Sequence, residues 1–173
     1  MIRKFSDLSS LSVVTSYSAM LEVRPILIVD DDTATLLALT ETLRLRLDSV
    51  TIETAESANA AIDRIHTTLH SVIVCDVVMP GADGLILLKE AQRLRPEVPV
   101  ILMTAGAIDH EASALYSGAY AFLEKPLNID HFISVVSAAL GHSDLTRRLR
   151  ERNQNSIVNL QMKALRSSLP GRK

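Results

Sequence analysis

The sequence has no tryptophan, a single cysteine and only 3% aromatic residues, so any core it builds is aliphatic and no disulfide can close within the chain. Glycine and proline are also sparse, six of each in 173 residues, which excludes collagen-like and low-complexity chains. No apolar run approaches the roughly 20 residues that a membrane-spanning helix requires. The N-terminal Arg3 and Lys4 lead into a stretch broken by Asp7 and many serines, without the apolar block of a secretion signal. A soluble, cytoplasmic protein is expected, with Cys75 serving as a small buried hydrophobe inside Val72-Ile73-Val74-Cys75.

What is present is 47% hydrophobic residues and a net charge of only −2. The length suits one domain plus peripheral segments, since compact domains run to about 100–150 residues. The charge is uneven. From His142 onward Arg147, Arg148, Arg150, Arg152, Lys163, Arg166, Arg172 and Lys173 stand against only Asp144 and Glu151, so a basic tail follows an acidic middle.

Four short, β-branched apolar runs read as strands buried on both faces: Ile26 to Val29, Val72 to Cys75, Val100 to Met103 and Ala119 to Leu123. A fifth, Val50 to Thr54, alternates apolar and polar positions as an edge strand does. Between the runs the period turns helical. Leu36, Thr40, Leu43 and Leu47 share one face, as do Leu85, Leu88 and Ala91; further helices are expected over 57–69, 108–117 and 128–140, the last with Phe132, Ile133, Val136 and Leu140 inward. Such alternation predicts five βα units wound both ways into a parallel α/β sheet. Residues 1–23 are expected to be a loose extension, with Met20 a second candidate start, 24–141 the domain, and 142–173 a basic tail that is partly helical or disordered.

Chemistry-bearing residues fall just beyond the strands, where open α/β sheets bind ligands. Asp30, Asp31 and Asp32 follow the first run, and Asp76 ends another before the loop Val77-Val78-Met79-Pro80-Gly81-Ala82-Asp83-Gly84. Taken alone the acidic triplet could simply cap a helix through Asp32 or Thr33. If the two strands adjoin, however, three carboxylates converge, and such anions repel unless a cation lies among them. Magnesium suits that donor set, being hard and satisfied by carboxylates, carbonyls and water, and manganese is an alternative. Thr104 could donate a hydroxyl proton to a phosphoryl oxygen, Lys125 could neutralise another, and Asp76 could act as nucleophile.

The sequence resembles the response-regulator receiver family through Ile26-Leu27-Ile28-Val29-Asp30-Asp31-Asp32, Val74-Cys75-Asp76-Val77-Val78-Met79-Pro80-Gly81, Ile101-Leu102-Met103-Thr104-Ala105 and Gly118-Ala119-Tyr120-Ala121-Phe122-Leu123-Glu124-Lys125-Pro126, spanning roughly Arg24 to Leu140. The resemblance implies a doubly wound, flavodoxin-like (βα)5 sheet with strand order 2-1-3-4-5. It implies Asp76 as phosphoacceptor from a sensor histidine kinase or histidine phosphotransfer protein. Asp30 and Asp31 would then hold the metal with Asp76 and the backbone carbonyl of Val78, Thr104 and Phe122 would switch, and a cis bond would precede Pro126. Val78 and Gly106 lack side chains able to bind a water, which implies slow self-dephosphorylation, and the span from Thr104 to Gly118 is one residue shorter than the family suggests.

An aspartate-nucleophile phosphohydrolase would need the same site, yet the position two residues after its nucleophile is Val78 here and not a second aspartate. A dinucleotide-binding protein would show a glycine-rich loop after the first strand, where this chain has acids. A receiver-shaped adaptor that takes no phosphate, or a fragment of a larger DNA-binding regulator, stays open. The expected output is a downstream protein target or a homodimer, without membrane binding. The basic tail could attract nucleic acid but is short for a recognition motif.

Overall fold

The computed structural model describes residues 24–80, 84–105 and 118–168. Their elements are β1 (Ile26–Val29), α1 (Thr33–Arg46), β2 (Ile52–Ala55), α2 (Ala58–Thr67), β3 (Val72–Asp76), α3 (Gly84–Leu94), β4 (Val100–Thr104), β5 (Ala121–Glu124) and α4 (Ile129–Ser168). All strand pairs are parallel and the sheet runs β2-β1-β3-β4-β5. This is the expected doubly wound, flavodoxin-like order. The helix expected over 108–117, Gly106 and the N-terminal 23 residues lie outside the described residues.

The apolar runs from Ile26, Val72 and Val100 become fully buried strands because both faces of the sheet are covered there, whereas the run from Ala119, expected to be buried on both faces, forms the half-buried edge strand β5. Successive side chains point to opposite faces. Leu27, Val29, Ile73, Cys75 and Leu102 therefore pack one way, with Ala61 and Ile65 of α2 and Leu87, Leu88 and Ala91 of α3. Ile26, Ile28, Val72, Val74, Ile101 and Met103 pack the other way, with Leu36, Leu39 and Leu43 of α1 and Phe132, Val136 and Ala139 of α4. The half-buried β2 lies at one edge, as its alternating pattern predicted.

Several boundaries differ from expectation, β2 running from Ile52 to Ala55 and not from Val50 to Thr54, and two of the differences have a clear physical cause. β5 begins at Ala121 and not Ala119, because Gly118 takes a left-handed conformation (φ 84°) that turns the chain before it joins β4. α4 does not stop before Gly141 but runs unbroken to Ser168. A mid-helix glycine costs only about 0.5–1 kcal/mol relative to alanine, and among the described residues nothing lies within 4 Å of where a Gly141 Cβ would stand, so their packing demands no break there.

Candidate functional site

Parallel pairing fixes where the acids meet. In the β1–β3 register Val29 faces Cys75, so the next residues, Asp30 and Asp76, emerge side by side at the same edge. β4 adds Thr104 as its last residue, and Lys125 directly follows β5. Asp30, Asp76 and Thr104 are buried, while Asp31 is exposed at the rim. Carboxylate oxygens of Asp30, Asp31 and Asp76 all lie within 4.8 Å of one another. The Lys125 ammonium bridges two of the three, at 2.8 Å from Asp30 Oδ2 and 3.0 Å from Asp76 Oδ2.

The remaining acid of the triplet does what a capping residue does. Asp32 caps α1, its Oδ1 accepting from the Ala34 N–H and its Oδ2 from the Thr35 hydroxyl. The Thr35 and Ala34 hydrogen bonds hold its pKa below the ordinary aspartate range. Its own N–H donates to Asp30 Oδ1 at 3.0 Å, so the capped turn also orients the buried acid.

Burial pushes the Asp76 carboxyl above its ordinary pKa, with a smaller upward push from Asp30, and the Lys125 hydrogen bond and charge oppose it. For Lys125 burial acts downward, but hydrogen bonds to Asp30 and Asp76 prevail and raise it. Paired anions here thus depend on a cation. The three oxygen-donor carboxylates, hard and close, fit a magnesium or manganese ion by the chemistry of the donor set.

The backbone around Asp76 is tightly held. Val77 N–H donates to the Met103 carbonyl at 2.7 Å, and Gly84 N–H to the Val77 carbonyl at 2.9 Å. The Cys75 thiol, buried as expected, donates to the Asp76 carbonyl at 2.9 Å. A Cβ at Gly84 would run into that same carbonyl oxygen, so only glycine lets α3 begin so close to Asp76. Nothing in the sequence alone gives Gly84 a role beyond its place as the residue that restarts a helix after the loop following Asp76.

Other expected positions behave variously. The Val78 side chain is exposed and its N–H lies 3.5 Å from Asp76 Oδ1, the outer limit of a hydrogen bond. Phe122 is half-buried against the α2–α3 side of the sheet. The Lys125–Pro126 bond is cis, as anticipated, and the Lys125 N–H donates to the Thr104 carbonyl at 2.7 Å, tying two site residues together through the main chain.

The sequence profile described as the response regulator receiver domain matches residues 26–137, and the chain belongs to that family of signalling phosphoacceptors. Among curated proteins it is similar to the DNA-binding transcriptional regulator NtrC of Klebsiella pneumoniae, at 38% identity over 75% of this chain and 27% of the relative. It is also similar to the transcriptional regulatory protein ZraR of Escherichia coli O157:H7, at 34% identity over 69% of this chain and 27% of that one. The chain thus spans about a quarter of the length of these relatives. Among solved structures, a CheY-like receiver from Methanospirillum hungatei JF-1 superposes with TM-score 0.67 at 27% identity, covering 72% of this chain and 99% of that one. NtrX from Brucella abortus, in complex with ADP, gives TM-score 0.66 at 32% identity over 73% of this chain and 29% of that one.

Proposed function

We propose that Asp76 is the residue that accepts the phosphoryl group, from a phosphohistidine on a sensor kinase or phosphotransfer protein. An Asp76 carboxylate oxygen attacks phosphorus, the P–N bond breaks, and the histidine nitrogen leaves with the bond's electron pair and takes up a proton. The product is an acyl phosphate on Asp76. Asp30, Asp31, Asp76 and the Val78 carbonyl would hold magnesium or manganese, which when bound neutralises charge on the phosphoryl oxygens. Lys125 offsets charge on a further oxygen, and the Thr104 hydroxyl donates to another. The observation that carries this reading is the convergence of Asp30, Asp31, Asp76 and Lys125 at one sheet edge, with the Lys125 ammonium 3.0 Å from Asp76.

The receiver unit on this reading spans 24–141 and the basic segment 142–173 is an appendage to it, the signal leaving through Thr104 and Phe122 to a protein partner or a second copy. Acyl phosphate on Asp76 is expected to be slow to hydrolyse, as the Val78 and Gly106 side chains cannot orient an attacking water. A cytoplasmic setting goes with a kinase partner; among the described residues no helix is long and apolar enough to cross a membrane.

The test is intact-mass spectrometry of purified protein given magnesium and a small phosphodonor. A single acid- and base-labile phosphoryl adduct on the wild type, which fails to form when a chelator is present from the start and is missing from Asp76→Asn, is expected. An equal adduct on the variant overturns the assignment. A second reading, favoured by the DNA-binding designation of the NtrC relatives, gives the receiver a transcriptional output. Salt-sensitive binding of labelled duplex DNA by this chain would support it; none at low salt leaves the protein-partner reading.

A further inference from the structure

α4 outruns the receiver body, and from Arg152 to Lys163 every side chain is exposed. Beyond Gly141 two side-chain contacts tie it to the body. The His142 ring meets the Tyr120 ring with centroids 5.5 Å apart and planes at 49°. Two turns on, the Arg150 guanidinium pairs with Glu97 at 2.8 Å. Between helix and body lies a hollow of about 550 Å³ bordered by Gln92, Pro96, Glu97, Gly118, Tyr120 and His142. From Leu145 to Met162 every large apolar side chain of the helix is exposed, so beyond Gly141 it is held by these tethers and by a half-buried stripe of Ser143, Thr146 and Arg147 without a buried apolar seam, and an ion pair with half-exposed Arg150 is weak enough to open.

The body's two anchors are placed where they can report on the candidate site. Glu97 lies just ahead of β4, which ends in Thr104, and Tyr120 just ahead of β5, which is followed by Lys125. The Tyr120 N–H is joined to the Val100 carbonyl at 2.8 Å, and the Lys125 N–H to the Thr104 carbonyl at 2.7 Å. One strand pair, about 15 Å long, therefore carries the phosphoryl-binding groups at one end and the tethers at the other. The closed tethers coexist with Lys125 bound to both Asp30 and Asp76.

We propose that Glu97–Arg150 and Tyr120–His142 form a releasable clamp that fixes the direction of the helical extension, and that phosphoryl transfer to Asp76 opens it. Recruitment of Thr104 and Lys125 to the phosphoryl group shifts β4 and β5 along their length and misaligns the anchors. The helix then swings free to meet its target. The release half of this proposal rests on the phosphoacceptor reading given above; the clamp half does not.

Spin labels on Leu45→Cys and Asn159→Cys, both at exposed positions, report the angle between body and extension, while native Cys75 is buried and unlabelled. Distances are measured by pulsed electron resonance on the full chain with and without magnesium plus phosphodonor, and the adduct is checked by intact mass. A narrow distribution that broadens in Glu97→Gln/Tyr120→Leu is expected, as is a similar broadening of the otherwise unaltered protein on phosphorylation. The clamp variant should still take the adduct while losing the donor-dependent change. A distribution unmoved by the double substitution overturns the clamp. One unmoved by the donor, with the adduct present, overturns the release. Absence of any adduct removes the phosphoacceptor reading and the release with it, while the variant comparison still judges the clamp.

Discussion

Two residues outside the acidic cluster show how narrowly the site and its scaffold are built. Gly84 exists as glycine because α3 starts against the Asp76 carbonyl. Gly84→Ala should destabilise the fold by about 1–3 kcal/mol in urea unfolding and slow phosphoryl uptake, because the main chain that aims Asp76 must move. Wild-type stability and uptake in that variant would remove the constraint. His70 is buried, its Nε2–H donating to Glu53 Oε2 at 3.1 Å while Nδ1 has no hydrogen-bond partner among the described residues. Burial holds its pKa below the ordinary 6.5, only partly countered by Glu53. The sign follows from linkage: the unfolded chain takes up the proton first, so stability is full above pH 6.5 and is lost as pH falls toward the depressed folded value. Unfolding curves at successive pH values should show that loss, and His70→Gln should flatten it; an unchanged pH slope in the variant assigns the loss elsewhere.

The strands and helices were legible in different degrees, and packing explains which. Three of the four apolar runs announced buried strands because both their faces are covered, while the run from Ala119 was expected to be equally buried and is the half-buried strand at the other edge; Val50, Ile52 and Thr54, alternating with polar positions, announced the edge at β2. The inward faces of the helices were readable only approximately. Leu47 and Leu85 were expected on buried faces and are half-buried, whereas Leu39 and Leu87 are buried, since the faces are set by how each helix lies across the sheet. The length of α4 was legible only in part, because a helix over 128–140 and a partly helical tail were expected as separate pieces, and only the coordinates show that the surroundings of Gly141 let them join. Gly141→Ala should therefore stiffen the helix and add about 0.5–1 kcal/mol of helical stability, visible as greater helical circular dichroism signal. A drop in signal would mean that the glycine serves a bend.

At the scale of the whole molecule, the site is a consequence of topology. Asp30, Asp76, Thr104 and Lys125 are separated by 46, 28 and 21 positions in the sequence, yet they meet because every strand is parallel and β1 adjoins β3. The motifs named the residues; which oxygens the lysine bridges, and that Asp32 serves the helix cap and not the cluster, needed coordinates. The aspartyl phosphate itself offers the most direct check, because borohydride reduces an acyl phosphate to an alcohol. After reaction with magnesium and a phosphodonor, reduction followed by peptide mapping should find homoserine at position 76. Homoserine at another aspartate, or phosphate that survives on a serine, threonine or histidine with position 76 unaltered, would contradict the account.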